Sequence, residues 1–408
     1  LGICAYLFFV LGLVGWLRPI SALMLALLVT APASCGLYLL GHDAIEEGAE
    51  HESPDPQTGY ATAVESRQST GLWTVVQKAA PYVAPVAIIL LMVVALAAVE
   101  VPPGAHEWDA LSYHLAVPQA YLMAGRIIEL PTDHHSYFPF LTQMLFMCEL
   151  MAQSVASAKA IHLLYGVMTV ISVYCMGRRW VSAKAGRVSA FLLLLAPMAV
   201  WEAGTAYIEL AEALYVVLAF HAVLLYRKHP DTASAAMSGA MSGFALAVKT
   251  LSLIPVALVV AVFAASRPNR KHVVAFAGLL AVLGAPFYLR TYLLTGNPVY
   301  PFAYSIFGGK YWDAERAAAY ASEQRSYGLD GRLPTVGDDL RPVRRPYVPP
   351  TLVDRVRNAA LAPFALVSFP RLFHNYNDAW FMATLGFLPL LLVPLVFFVG
   401  CVPQPVRI

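Results

Sequence analysis

Long apolar runs recur from one end of the chain to the other, and they constrain its fold more than any single motif does. They lie at residues 1–17, 20–40, 80–99, 156–176, 187–201, 209–226, 238–265, 273–294 and 380–402. A helix that crosses a bilayer needs about 20 such residues. A membrane barrel would instead alternate apolar and polar positions over short segments. The pattern therefore predicts an all-α, polytopic transmembrane helical bundle. Composition agrees, because 59% hydrophobic residues and 13% charged ones over 408 positions are too apolar for a soluble domain.

The net charge of +2 is too small to suggest nucleic acid, and no basic run is interleaved with aromatics. Cys4, Cys35, Cys148, Cys175 and Cys401 sit in or beside apolar segments without CxxC spacing, as small core residues do. Leu1 lies inside an apolar run and Ile408 follows another, which suits a fragment; no cleavable signal peptide is recognisable. Residues 1–40 read as two N-terminal membrane helices meeting at Arg18 and Pro19, and 41–79 as an acidic polar linker carrying Glu46, Glu47, Glu50, Glu52 and Asp55. The membrane core is expected over 80–402.

Basic short loops set orientation. Arg178, Arg179, Lys184 and Arg187, then Arg227 and Lys228, then Arg267, Arg270 and Lys271 are expected to face the cytoplasm. That count puts 100–155 and 294–379 outside a plasma (inner) membrane. It also makes two segments unusual. Residues 139–153 begin and end in one compartment and read as an amphipathic helix lying in the outer interface. Residues 238–265 do the same on the other side and carry Lys249 and Thr250 near their middle, so two short helices turning within the membrane are expected. A lysine at that depth usually has an anionic partner, either a carboxylate or a phosphate.

Ionisable and aromatic residues gather in 100–139: Glu107, Trp108, Asp109, Tyr113, His114, Glu129, Asp133, His134, His135 and Tyr137. A carboxylate on a short loop pinned to a membrane helix is well placed as a general base. Asp109 before an apolar helical stretch fits a helix N-cap equally well. His114, His134 and His135 could orient an acceptor or bind a metal, without HExxH spacing. Glu209 and Glu212 share a helix face, which suits either binding or a structural pairing. Tyr207, Tyr292, Tyr300 and Trp312 fit an interfacial aromatic belt more readily than a sugar platform.

Taken in order, Asp109 with Tyr113 after a span, Gly125 with Pro131, His135 to Pro139 opening an interfacial helix, and a span ending Gly177-Arg178-Arg179 resemble the GT-C glycosyltransferases. The nearest likeness is to the protein mannosyltransferase and aminoarabinose transferase type and the bacterial RgtA/B/C/D-like proteins. Ala206 to Glu209, Lys249 with Thr250, and Gly296 to Pro301 extend the resemblance, which covers roughly 80–400. It implies a hexosyl or pentosyl transferase that takes a sugar from a polyprenyl-phosphate donor. The acceptor would be a glycan, lipid or protein on the outer face, with inversion at the anomeric carbon. In that frame Asp109 matches the catalytic base, and Lys249 with Arg290 would hold the donor phosphate. Tyr113, His114, His135, Glu209 and Tyr300 would contact substrate. Many relatives follow the catalytic Asp with a second acid, whereas Ala110 stands here, so that part shifts to Glu107 or Glu209 and no metal or other cofactor is expected. A transporter or flippase of a lipid-linked or anionic substrate, or a GT-C fold without activity, is the alternative, although no internal repeat is visible.

Overall fold

A computed structural model describes residues 1–15, 88–324 and 351–368. The second N-terminal helix, the acidic linker and the last apolar run lie outside the described residues. Among those described there is no strand, and the helices follow in the order α1 (Gly2–Leu13), α2 (Ile88–Glu100), α3 (Ala116–Ala124), α4 (Leu141–Met151), α5 (Val155–Trp180), α6 (Ala183–Leu194) and α7 (Pro197–Ala203). Then come α8 (Glu209–Lys228), α9 (Thr232–Val248), α10 (Leu253–Ala265), α11 (Arg270–Thr295), α12 (Tyr304–Phe307), α13 (Ala314–Gln324) and α14 (Leu352–Ser368).

Three of these, α5, α8 and α11, are long and apolar enough to cross a membrane, and α6 with α7 would make a fourth if the bent pair is one span. That bend, 68°, was not expected from the run at 187–201. Its cause is local. Pro197 opens α7 without an N–H to donate, and Ala196 before it is held extended at φ −71°, ψ 114°. The outer surfaces of α10 and α11 expose Leu253, Ile254, Leu258, Val274, Val282 and Leu289. Polar residues such as Ser238, Ser242 and Thr291 are buried inside. Apolar side chains outside and polar ones inside suit a hydrocarbon surround.

The main core joins Phe8 and Phe9 of α1, Leu141 and Met144 of α4, Tyr215 of α8, Phe244 of α9 and Phe287 of α11. Helices α9 and α11 make the most extensive pairing, and small residues allow it. A β-carbon at Gly239 would stand 2.1 Å from the Phe276 carbonyl oxygen, and one at Gly243 3.1 Å from the Leu280 oxygen. Two glycines four apart let the backbones meet in the manner of membrane helix pairs.

Residues 139–153 do form a helix, but it is not a surface one. Leu141 to Met147 are all buried, and the helix packs between α1 and α5. Residues 238–265 break where the lysine predicts: α9 stops at Val248, Lys249 is extended, and a short 3-10 turn (Thr250–Ser252) leads into α10. The stretch read as a polar loop over 294–379 contains α12, α13 and α14, with 325–350 and everything after 368 outside the described residues.

Candidate active site

Asp109 begins a π-helical turn (Ala110–His114), in which the Leu115 N–H reaches back five residues to the Ala110 carbonyl at 2.9 Å. Such turns are wider than an α-turn and recur at functional sites. Asp109 is helical in φ and ψ and its side chain caps nothing, so the N-cap reading does not describe it. Its carboxylate instead accepts from the Tyr113 hydroxyl at 2.9 Å, one turn along. Burial raises the Asp109 carboxyl above the ordinary carboxylate range. The Tyr113 hydrogen bond pulls the other way, Glu209 raises it, and His135 and Lys249 lower it. The charges on α8 and at the α9 break thus bear on this carboxylate.

Lys249 donates to Glu209 Oε1 at 2.7 Å. The side chains are 28% and 32% exposed, so the pair is not sealed. Glu209 Oε2 meanwhile accepts from the Ile208 N–H at 3.0 Å, at the start of α8. The anionic partner that Lys249 meets is thus the carboxylate of Glu209. Next to it, Ser252 donates to Glu212 at 2.7 Å, so both acids of the α8 face meet the α9–α10 break.

Arg290, on α11, donates to the Ser136 carbonyl at 3.0 Å and to the Tyr121 hydroxyl at 3.2 Å. Thr291 donates to the Tyr137 carbonyl at 2.5 Å. Together they clip the 133–138 segment onto α11. Within that segment His135 stacks on Tyr113 with ring centroids 4.4 Å apart and planes 3° off parallel. Its Nδ1 is 2.7 Å from Asp133 Oδ1, and its backbone N–H donates to the same oxygen at 3.0 Å.

Other expected site residues stand differently. Glu107 is not an open second acid: its Oε1 accepts from Lys159 at 2.9 Å. Lys159 is 1% exposed and also donates to the carbonyls of Val101 and Ala98 at 2.7 and 3.4 Å, tying the end of α2 to α5. Tyr300 is 2% exposed and packs edge-on against Tyr137 and Trp312. The turn around it is built on the fully buried Asn297, which donates to the carbonyls of Phe302 and Gly308. His114 is fully buried, and burial lowers its pKa to about 3, so the ring is neutral. Gln143 donates to its Nδ1 at 2.8 Å, which leaves the proton on Nε2, an atom with no partner.

Sequence reasoning missed Glu202, His162, Lys159 and Gln143. Glu202 is 3% exposed, with Oε2 buried and unpaired. It stands with His162 and Glu209 in a group whose donor atoms lie within 4.8 Å of one another. His162 is not free to ligate, however. Its Nδ1 donates to the Glu202 and Thr205 carbonyls at 2.9 and 3.1 Å, and its Nε2 accepts from the Leu210 N–H at 3.1 Å. That ring is a staple for the 203–209 turn. An Ala- and Gly-bearing stretch gives no sign of it in one dimension.

An apolar crevice is lined by Leu91, Met92 and Ala95 of α2, Val167 of α5, Ala203 of α7 and Leu210 of α8. Ala203 and Leu210 are the chain neighbours of Glu202 and Glu209.

A family model described as a domain of unknown function (DUF8201) matches residues 138–332. That segment includes Glu202, Glu209, Lys249, Arg290 and Tyr300. No curated protein matches the chain. No solved structure matches it either.

Proposed function

We propose that the chain is a multi-pass membrane glycosyltransferase of GT-C type, moving a sugar from a polyprenyl-phosphate donor to an acceptor hydroxyl on the extracytoplasmic side. The observation that carries this reading is the partly open Lys249–Glu209 pair, whose two charges bear on the buried Asp109 carboxyl.

Inverting transfer needs a base for the acceptor's proton and cations for the departing phosphate. The Asp109 carboxylate takes the proton as the acceptor oxygen attacks the anomeric carbon from the face opposite the phosphate. The bond from anomeric carbon to phosphate oxygen breaks, and its electron pair leaves with the phosphate. Tyr113 holds the base at 2.9 Å, while desolvation strengthens its proton affinity. Lys249 is shared: its ammonium now faces Glu209, and a donor phosphate competes with that carboxylate for it. Arg290 has further N–H groups beyond the two already bonded. The apolar crevice lined by α2, α5, α7 and α8 suits an isoprenoid tail.

The test uses purified protein in proteoliposomes and a panel of polyprenyl-phosphate-linked sugars, with glycosylated product read by mass spectrometry. Asp109→Asn is expected to cut turnover by about a hundredfold or more, with the elution profile of the wild type. Undiminished turnover in that variant would remove Asp109 from the mechanism.

A further inference from the structure

The segment clipped onto α11 carries a second cluster that the transfer chemistry leaves unused. One donor atom from each of Asp133, His134 and His135 lies within 4.8 Å of the others. Both hydrogen bonds made to Asp133 from His135 fall on Oδ1. Oδ2 is therefore available. Asp133 Oδ1 and His135 Nδ1 already face each other at 2.7 Å, so Nδ1 is the imidazole donor that His135 turns toward the carboxylate. Next to it the His134 ring lies 3.9 Å away, and its Nε2 is buried with no hydrogen-bond partner. A buried imidazole nitrogen without a partner is costly unless something else occupies it.

We propose that Asp133, His134 and His135 form a binding site for a divalent transition metal of the zinc class. Two imidazoles and a carboxylate are borderline donors that favour zinc, and disfavour magnesium, which prefers oxygen alone. In such a site the three donors stand about 2.0–2.2 Å from the ion, which takes the place of the proton between His135 Nδ1 and Asp133. Three protein ligands leave a fourth position for water or a ligand oxygen, as in sites that do more than hold structure. The cluster also has a route to the proposed base. His135 stacks in parallel on Tyr113, and Tyr113 bonds Asp109, so an ion that fixes the His135 ring fixes that stack as well. The other three-donor group among the described residues, His162 with Glu202 and Glu209, has no imidazole lone pair to give.

The experiment needs neither donor nor acceptor, so its outcome is separate from that of the transfer reading. Chelator-stripped protein in detergent is titrated with zinc against a chromophoric chelator, with magnesium as a parallel arm and His221→Ala as a control. The wild type and His221→Ala are expected to take up one zinc per chain, unaffected by equal magnesium. His134→Gln with His135→Gln is expected to weaken uptake at least tenfold, and Asp133→Asn to weaken it by about tenfold. In case the double variant misfolds, X-ray absorption at the zinc edge of the loaded wild type is expected to show imidazole nitrogens at about 2.0–2.1 Å. Absence of saturable uptake, wild-type affinity in the double variant, or a zinc shell without imidazole overturns the site.

Discussion

At the scale of single residues, two carboxylates of the same short loop have been given opposite tasks by their neighbours. Glu107 and Asp109 are two positions apart, yet Glu107 meets the buried Lys159 and Asp109 meets a tyrosine hydroxyl. Removing one partner of a buried ion pair leaves the other charge uncompensated. Lys159→Met is therefore expected to destabilise the protein by about 3–5 kcal/mol, and adding Glu107→Gln to restore part of that. Thermal unfolding in detergent measures both, and an unchanged midpoint in the single variant contradicts the latch. Asp109 makes a different prediction, in pH. Burial raises its carboxyl, and only the ionised form can accept a proton. The acid limb of the turnover profile is thus expected above the ordinary carboxylate range. The Tyr113 hydrogen bond favours the ionised form, so Tyr113→Phe is expected to push that limb to still higher pH. A limb that moves down, or stays, contradicts the assignment.

Elements explain why some of this could be read from sequence and some could not. The break at Lys249 was legible because a charge in the middle of an apolar run has few ways to be accommodated, and the helix does stop there. The Pro197 bend was legible in principle from proline chemistry, but the apolar run masked it. Burial of Leu141 to Met147 was not, since an amphipathic surface helix and a core helix differ only in what packs on them, here α1 and α5. Lys159, His162 and Glu202 owe their meaning to partners 40 or more positions away, which a one-dimensional pattern does not reveal. Close helix pairing can be tested at the same scale. Gly239→Ala is expected to cost about 1–3 kcal/mol, because its β-carbon collides with the Phe276 backbone. Gly278→Ala, on the partner helix, meets nothing within 4 Å and is expected to be neutral or to stabilise by up to about 1 kcal/mol. Equal behaviour of the two variants in unfolding measurements rules out the glycine contact as the reason.

For the whole molecule, the account turns on where polar chemistry sits in an apolar chain. Helices with greasy outer faces carry the Lys249–Glu209 pair, whose charges bear on the Asp109 carboxyl, while Arg290 holds the 133–138 clip and α2, α5, α7 and α8 line an apolar crevice. Under the proposed transfer, a carrier lipid would lay its tail in an apolar groove and set its phosphate against Lys249. Equilibrium binding of undecaprenyl phosphate to the protein in nanodiscs, followed by native mass spectrometry with uncharged polyprenol as competitor, tests this most directly. Saturable binding that polyprenol fails to displace, and that Lys249→Ala weakens at least tenfold, is the predicted result. Equal affinity for phosphate and alcohol, or full affinity in Lys249→Ala, would contradict it.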